Sequence, residues 1–124
     1  MAYDLRIIKN KKIIEIRNSG EITNEDMITE TQEVIKLQHE KNIVLILTEF
    51  VSVKVDASLS DVFQFPEMYE QMGMDRKTRI AVLVSEIEVN NEELDFYETI
   101  CINRGWTIKI FIDKKEAIEW LLSE

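Results

Sequence analysis

The sequence has 124 residues, about the length of one domain, and a chain this long buries roughly 65–70% of its unfolded surface without needing a metal or a disulfide. Hydrophobic residues make up 45% and charged residues 31%, a globular balance that excludes a disordered chain. Fifteen basic against 24 acidic side chains give a net charge of −9, which disfavours partners gripped through phosphate, whether nucleic acid or an anionic membrane.

The segment Tyr3 to Lys9 alternates, with Tyr3, Leu5 and Ile7 opposed to Asp4, Arg6 and Ile8. Lys12 to Arg17 alternates as well, with Ile14 and Ile16 opposed to Ile13, Glu15 and Arg17. The short polar Asn10-Lys11 stretch between them predicts a β-hairpin, after which Gly20 is expected to turn the chain. Thr23 and Asp26 read as an N-cap with an acidic first turn. Met27, Ile28, Thr31, Val34, Ile35 and Gln38 follow at helical spacing, predicting an amphipathic helix to about His39.

Ile43 to Thr48 and Ile80 to Val84 are apolar on both faces, the mark of central parallel strands covered twice. Ser58 and Asp61 bracket the start of a helix running to Gly73, with Pro66 as a candidate break. Asn90 and Glu93 open another, ended by Gly105 in the position where a left-handed residue is easiest. Thr107 to Ile112 puts Ile108, Ile110 and Ile112 on one side, as an edge strand would. Asp113 and Glu116 then cap a last helix carrying Ala117, Ile118, Trp120, Leu121 and Leu122. The order ββαβαβαβα predicts one α/β domain over residues 1–124: a mixed five-stranded sheet, an N-terminal antiparallel hairpin followed by parallel strands, with four main helices.

Sequential strand order with right-handed crossovers would place every helix on one face. The other apolar face, of Val44, Ile46, Ala81 and Leu83 or its opposite, would then lie bare, and a patch that large does not stay in water. The expectation is helices on both faces or a symmetric dimer.

Several of these residues carry a family resemblance. Arg79-Ile80-Ala81-Val82-Leu83-Val84, Phe96-Tyr97-Glu98, Asn103-Arg104-Gly105 and Phe111-Ile112-Asp113, with Ala117 and Trp120-Leu121, resemble the bacterial SpoIIAA-like family of the STAS (sulfate transporter and anti-sigma factor antagonist) fold group. The resemblance implies a non-enzymatic regulatory or protein-interaction domain. In STAS antagonists a partner kinase phosphorylates a hydroxyl in an Asp-Ser-Ser/Thr-Gly motif, at the start of the helix after the first parallel strand. The matching segment here is Asp56-Ala57-Ser58-Leu59-Ser60-Asp61. Ser58 falls on the phosphorylatable position and Asp56 on the acid, while Ala57 and Leu59 replace the motif's other serine and its glycine.

Ser58 has a plainer role too, as a helix N-cap; as a phosphosite it would add charge that the helix N-terminus favours but that Asp56 and Asp61 repel. Phe63, Phe65, Met68, Tyr69, Met72 and Met74 cluster around Pro66, either as core or as a face adaptable to an apolar ligand or a protein. The family's likeness to the lipid-binding CRAL-TRIO fold implies an apolar or amphipathic small molecule as the alternative partner. The acids Glu86, Glu88, Glu92, Glu93, Asp95 and Glu98 read as a solvated face, and Glu98 with Arg104 as a structural ion pair.

No catalytic residues, cofactor or metal site are read from this sequence. His39 is the only histidine and Cys101 the only cysteine, which excludes an intramolecular disulfide and fits a reducing cytoplasm; Cys101 reads as a small buried hydrophobe. No nucleotide-binding glycine loop is present, the N-terminus lacks a signal-peptide pattern, and no apolar run approaches the ~18 residues of a membrane span. The expected partner is a protein or a second copy of the chain. A cleft holding a buried acid with a strongly perturbed pKa would instead raise the case for an enzyme.

Overall fold

Strand alternation and turn chemistry build the hairpin first. In a computed structural model describing all residues except 1, 9, 57, 87–90 and 124, and all other side chains except those of 2, 51–56 and 59, Ala2–Ile8 (β1) pairs antiparallel with Ile13–Thr23 (β2). The turn closes through Lys11 N–H to the Ile8 carbonyl at 3.1 Å, with Lys12 at φ 52°. β2 does not end at Arg17, and Gly20 does not turn the chain. Gly20 sits inside the strand at φ +76°, where the ladder to the next strand slips from Asn18–Phe50 to Gly20–Val53. A β-bulge of this kind bends a strand without ending it, and glycine admits the left-handed backbone.

Thr23 caps the helix Asn24–Lys41 (α1) through a reciprocal pair: its hydroxyl accepts the Asp26 N–H, and the Asp26 carboxylate accepts the Thr23 N–H. Asn42, at φ 55°, closes the other end. Leu45–Asp56 (β3) starts two residues later than expected and runs well past Thr48. Leu59–Gln71 (α2) passes through Pro66 unbroken. The proline has no N–H for the Val62 carbonyl, but its own carbonyl accepts the Trp106 indole N–H at 3.1 Å, tying this stretch to the loop before the last strand. Arg79–Leu83 (β4), Glu92–Asn103 (α3), Thr107–Phe111 (β5) and Lys114–Leu122 (α4) complete the chain. The cap of α3 is Asn91, whose side chain accepts from Glu93 and Leu94 N–H; Asn90 lies outside the described residues.

The sheet order is β1-β2-β3-β4-β5, with every pair after the hairpin parallel. Ile46 registers with Ile80 and Leu47 with Ala81, so Ile46 and Ala81 belong to opposite faces rather than the shared one expected. Ile14, Ile16, Ile46, Ile80, Val82 and Ile108 build one core with side chains from α1, α2 and α3, the three crossover helices. Ile13, Leu47, Ala81, Leu83 and Phe111 build the other with Ala117 and Leu121 of α4. Helices therefore cover both faces without any reversal of strand order. α4 does not connect two strands of this sheet, and it packs on the face that the three crossovers leave open.

Candidate functional site

The α1–α3 side of the sheet is not fully filled. A cavity of ≈ 200 Å³ lies between it and the three helices, walled by apolar side chains such as Ile46, Phe65, Ile80 and Val82. Its walls also include Asn91 and Glu93, both exposed, which places its mouth at the start of α3.

One acid reaches into this apolar space. Glu30, on the inner face of α1, is only 5% exposed and lines the cavity, and its Oε2 has no hydrogen-bond partner. Burial pushes its carboxyl up to about 7; the neighbouring Asn18 side chain opposes the shift, and Asp26 and Glu33 add to it. Asn18 is buried as well. Its Nδ2 donates to Thr48 Oγ1 (3.3 Å) and to the Glu49 carbonyl (3.2 Å), and its Oδ1 has no partner.

Deeper in the same layer, the hydroxyls of Tyr69 and Tyr97 lie 2.6 Å apart and join α2 to α3. Burial raises both phenols far above the ordinary tyrosine range. Cys101 is buried beside them, and burial pushes its thiol up to about 12 against a hydrogen bond from Tyr97. A thiol held that high is no nucleophile. Glu30 is thus a buried, perturbed acid of the kind that would raise the case for catalysis, yet this thiol and these phenols are pushed away from reactivity. The arrangement suits binding.

At the opposite end of α2, Ser58 is the exposed N-cap, two residues after the end of β3. Its hydroxyl accepts the Asp61 N–H at 3.1 Å, and the Asp61 carboxylate accepts the Ser58 N–H at 3.1 Å. Asp56 ends β3, with its side chain outside those described. The aromatic and methionine cluster divides. Phe65 and Tyr69 are buried and line the cavity, and Met74 is buried beside them. Met68 and Met72 are half-buried. Phe63 is 52% exposed, stacked on Phe96 of α3 with ring centroids 6.3 Å apart.

Glu98 and Arg104 do not pair with each other. The Glu98 carboxylate accepts the Ile110 N–H at 3.2 Å, and the Arg104 guanidinium lies 6.0 Å from the Phe63 ring centre. Glu86, Glu92, Glu93 and Asp95 are exposed, and Glu88 lies outside the described residues. Among the described residues no three His, Cys, Asp or Glu side chains gather as a metal site, and no helix is long and apolar enough to cross a membrane.

Sequence reasoning missed Glu30, although a signal was present. Met27, Glu30 and Val34 follow one another at helical spacing, so an acid occupied the apolar stripe.

Residues 13–122 match the family described as SpoIIAA-like. The chain belongs to the SpoIIAA-like family. Among solved structures it is similar to an uncharacterised protein with a SpoIIAA-like fold from Shewanella loihica PV-4 (18% identity, TM-score 0.56, covering 97% of this chain and 92% of that one). It is similar to the anti-sigma factor antagonist SpoIIAA in its unphosphorylated form (15% identity, TM-score 0.57, 99% and 100% covered). The Bacillus cell fate determinant SpoIIAA in its phosphorylated form also matches (13% identity, TM-score 0.54, 97% and 99% covered). At these identities the likeness establishes the SpoIIAA-like fold. No curated protein matches the sequence.

Proposed function

We propose that this SpoIIAA-like domain is a non-enzymatic regulatory module that binds a protein partner at the start of α2, with Ser58 as its switch. The observation that carries this reading is the position of Ser58, exposed at the N-cap two residues after the end of β3 in a fold shared with SpoIIAA in both its phosphorylated and unphosphorylated forms. A phosphoryl group on Ser58 would bring roughly −1.5 to −2 charge to the end of a helix dipole that favours anions. It would also compete with the Asp61 carboxylate for that end, changing both charge and shape where a partner docks. The half-exposed Phe63, one turn further along α2, offers an apolar contact beside the switch.

The test has two parts. Peptide mapping of the protein recovered from its host should show a phosphoryl increment at Ser58. The partner recovered with the Ser58→Ala protein should be lost with Ser58→Asp. Equal binding by the two variants overturns the switch.

The cavity favours a second reading, a binder of an apolar or amphipathic small molecule. Its ≈ 200 Å³ exceeds the roughly 150 Å³ that suffices to hold benzene in an engineered apolar cavity. Native mass spectrometry should show a small-molecule adduct that denaturant releases; a clean apo mass discards this reading.

A further inference from the structure

The buried acid at the cavity wall narrows the chemistry of an occupant. Building on the small-molecule reading, we propose that the cavity is a site for a small aliphatic ammonium compound, its hydrocarbon body among the apolar walls and its cationic head on the Glu30 carboxylate.

Three observations converge. First, Glu30 is 5% exposed with Oε2 unpartnered, and a buried acceptor left unsatisfied is costly unless something fills it. Second, the charged side chains lining the cavity, Glu30 inside and Glu93 at the mouth, are both acids, and the whole chain carries −9. Field lines from such a surface draw cations toward a low-dielectric cleft. The helix N-termini at the mouth do not reverse this, because the first turns of α1 and α3 carry their own acids, Glu25 and Asp26, then Glu92, Glu93 and Asp95. Third, most of the remaining wall is apolar, with Thr31, Thr48 and Asn91 among the exceptions, so a hydrophobic body has somewhere to go.

Asn18 on β2 is a polar neighbour of Glu30, and its hydrogen bond favours the ionised carboxyl against the pull of burial. Burial favours the protonated carboxyl, which brings no charge into the apolar space. Loss of the proton leaves a carboxylate in need of a cation. Ammonium binding and Glu30 ionisation are therefore linked. The groups around Glu30 are Asp26 and Glu33 on its own helix, Asn18 on β2, Tyr3 on β1, Tyr69 on α2 and Glu93 on α3. Both tyrosines are pushed upward, Tyr3 to about 12 and Tyr69 further, so they stay neutral across the working range.

The experiment is calorimetric titration of the intact protein with n-hexylamine, 1-hexanol and hexanoate, at about pH 6 and about pH 8, where the amine itself remains protonated. Hexylamine is expected to bind about tenfold tighter at the higher pH, because Glu30 is mostly ionised there, and hexanol is expected to show no such dependence. Glu30→Gln should abolish both the pH dependence and the preference for the amine. A measurement on the unaltered protein needs no variant: the Glu30 carboxyl carbon, followed by NMR, should titrate at lower pH with saturating hexylamine than without it. Equal binding of amine and alcohol at both pH values overturns the role of Glu30 but leaves the cavity as a ligand site. Preferential binding of hexanoate, or a Glu30 titration that hexylamine does not move, also overturns the proposal. Binding of none of the three probes overturns the proposal together with the small-molecule reading.

Discussion

Lys114, the first residue of α4, places its Nζ 2.7 Å from Oε2 of Glu15, a fully buried side chain on β2. Arg6, directly across from Glu15 on β1, completes the arrangement. Burial alone would raise the Glu15 carboxyl, but hydrogen bonds and charge from Lys114 and Arg6 outweigh it and hold the group below its usual value. The pair pins α4 over the second face of the sheet. Removing one partner strands a buried charge, although the exposed stems of both cations temper the loss. Lys114→Met should destabilise the protein by about 2 kcal/mol in urea titration. Because the folded-state pKa is depressed, this stabilisation is present above about pH 4.5 and fades as pH falls through the folded value. Acid unfolding of Glu15→Gln should accordingly show a flatter pH profile below that point.

Glu30 has the opposite sign. Its carboxyl is raised to about 7 by burial, so the folded state holds a proton that the unfolded state releases near pH 4.5. Stability should fall as pH rises from about 4.5 to about 7, and then level off. Glu30→Gln removes that penalty and should be more stable than the parent at about pH 8, by on the order of 2 kcal/mol, with little difference at about pH 5. Chemical denaturation at the two pH values checks it.

The cap at Ser58 separates stability from signalling. Ser58→Ala loses the acceptor for the Asp61 N–H and should cost about 1 kcal/mol, whereas Ser58→Asp, a good N-cap itself, should cost little. Thermal melts of the two variants should therefore rank in the reverse order to the partner binding proposed above.

Gly20 tests the bulge. A Cβ at this position meets nothing within 4 Å, so only the backbone at φ +76° resists substitution. Gly20→Ala should cost about 1–2 kcal/mol, and Gly20→Asn, which visits the left-handed region more easily, should cost less. A Gly20→Ala protein as stable as the parent would contradict the assigned backbone.

The cover on the second face rests on few side chains. Leu121 is 1% exposed against Leu47, Ala81 and Leu83, whereas the adjacent Leu122 is 48% exposed. Leu121→Ala should cost about 3 kcal/mol, and Leu122→Ala well under half of that. Comparable losses at the two positions would mean that α4 does not pack as described.

The order of elements and several of their ends were legible in the amino acids alone, because those signals act over a few residues. Thr23 with Asp26, Ser58 with Asp61, and Asp113 before α4 each cap the helix they announce. The two-faced apolar runs around Ile46 and Val82 mark the centre of a parallel sheet. Tertiary structure alone decided the rest. Gly20 reads locally as a turn, but β2 goes on pairing with β3 through a register shift at this point; Pro66 reads as a break, but a hydrogen bond from Trp106, forty residues on, spans it. Glu15 and Glu30 look like ordinary surface acids. Whether an acid is solvated depends on which elements close over it, and for these two the closing elements are distant in the chain: α4 over Glu15, and α2 with α3 around the cavity that Glu30 enters. Periodicity reports which way a side chain points from its own element, whereas desolvation is set by what arrives on the other side.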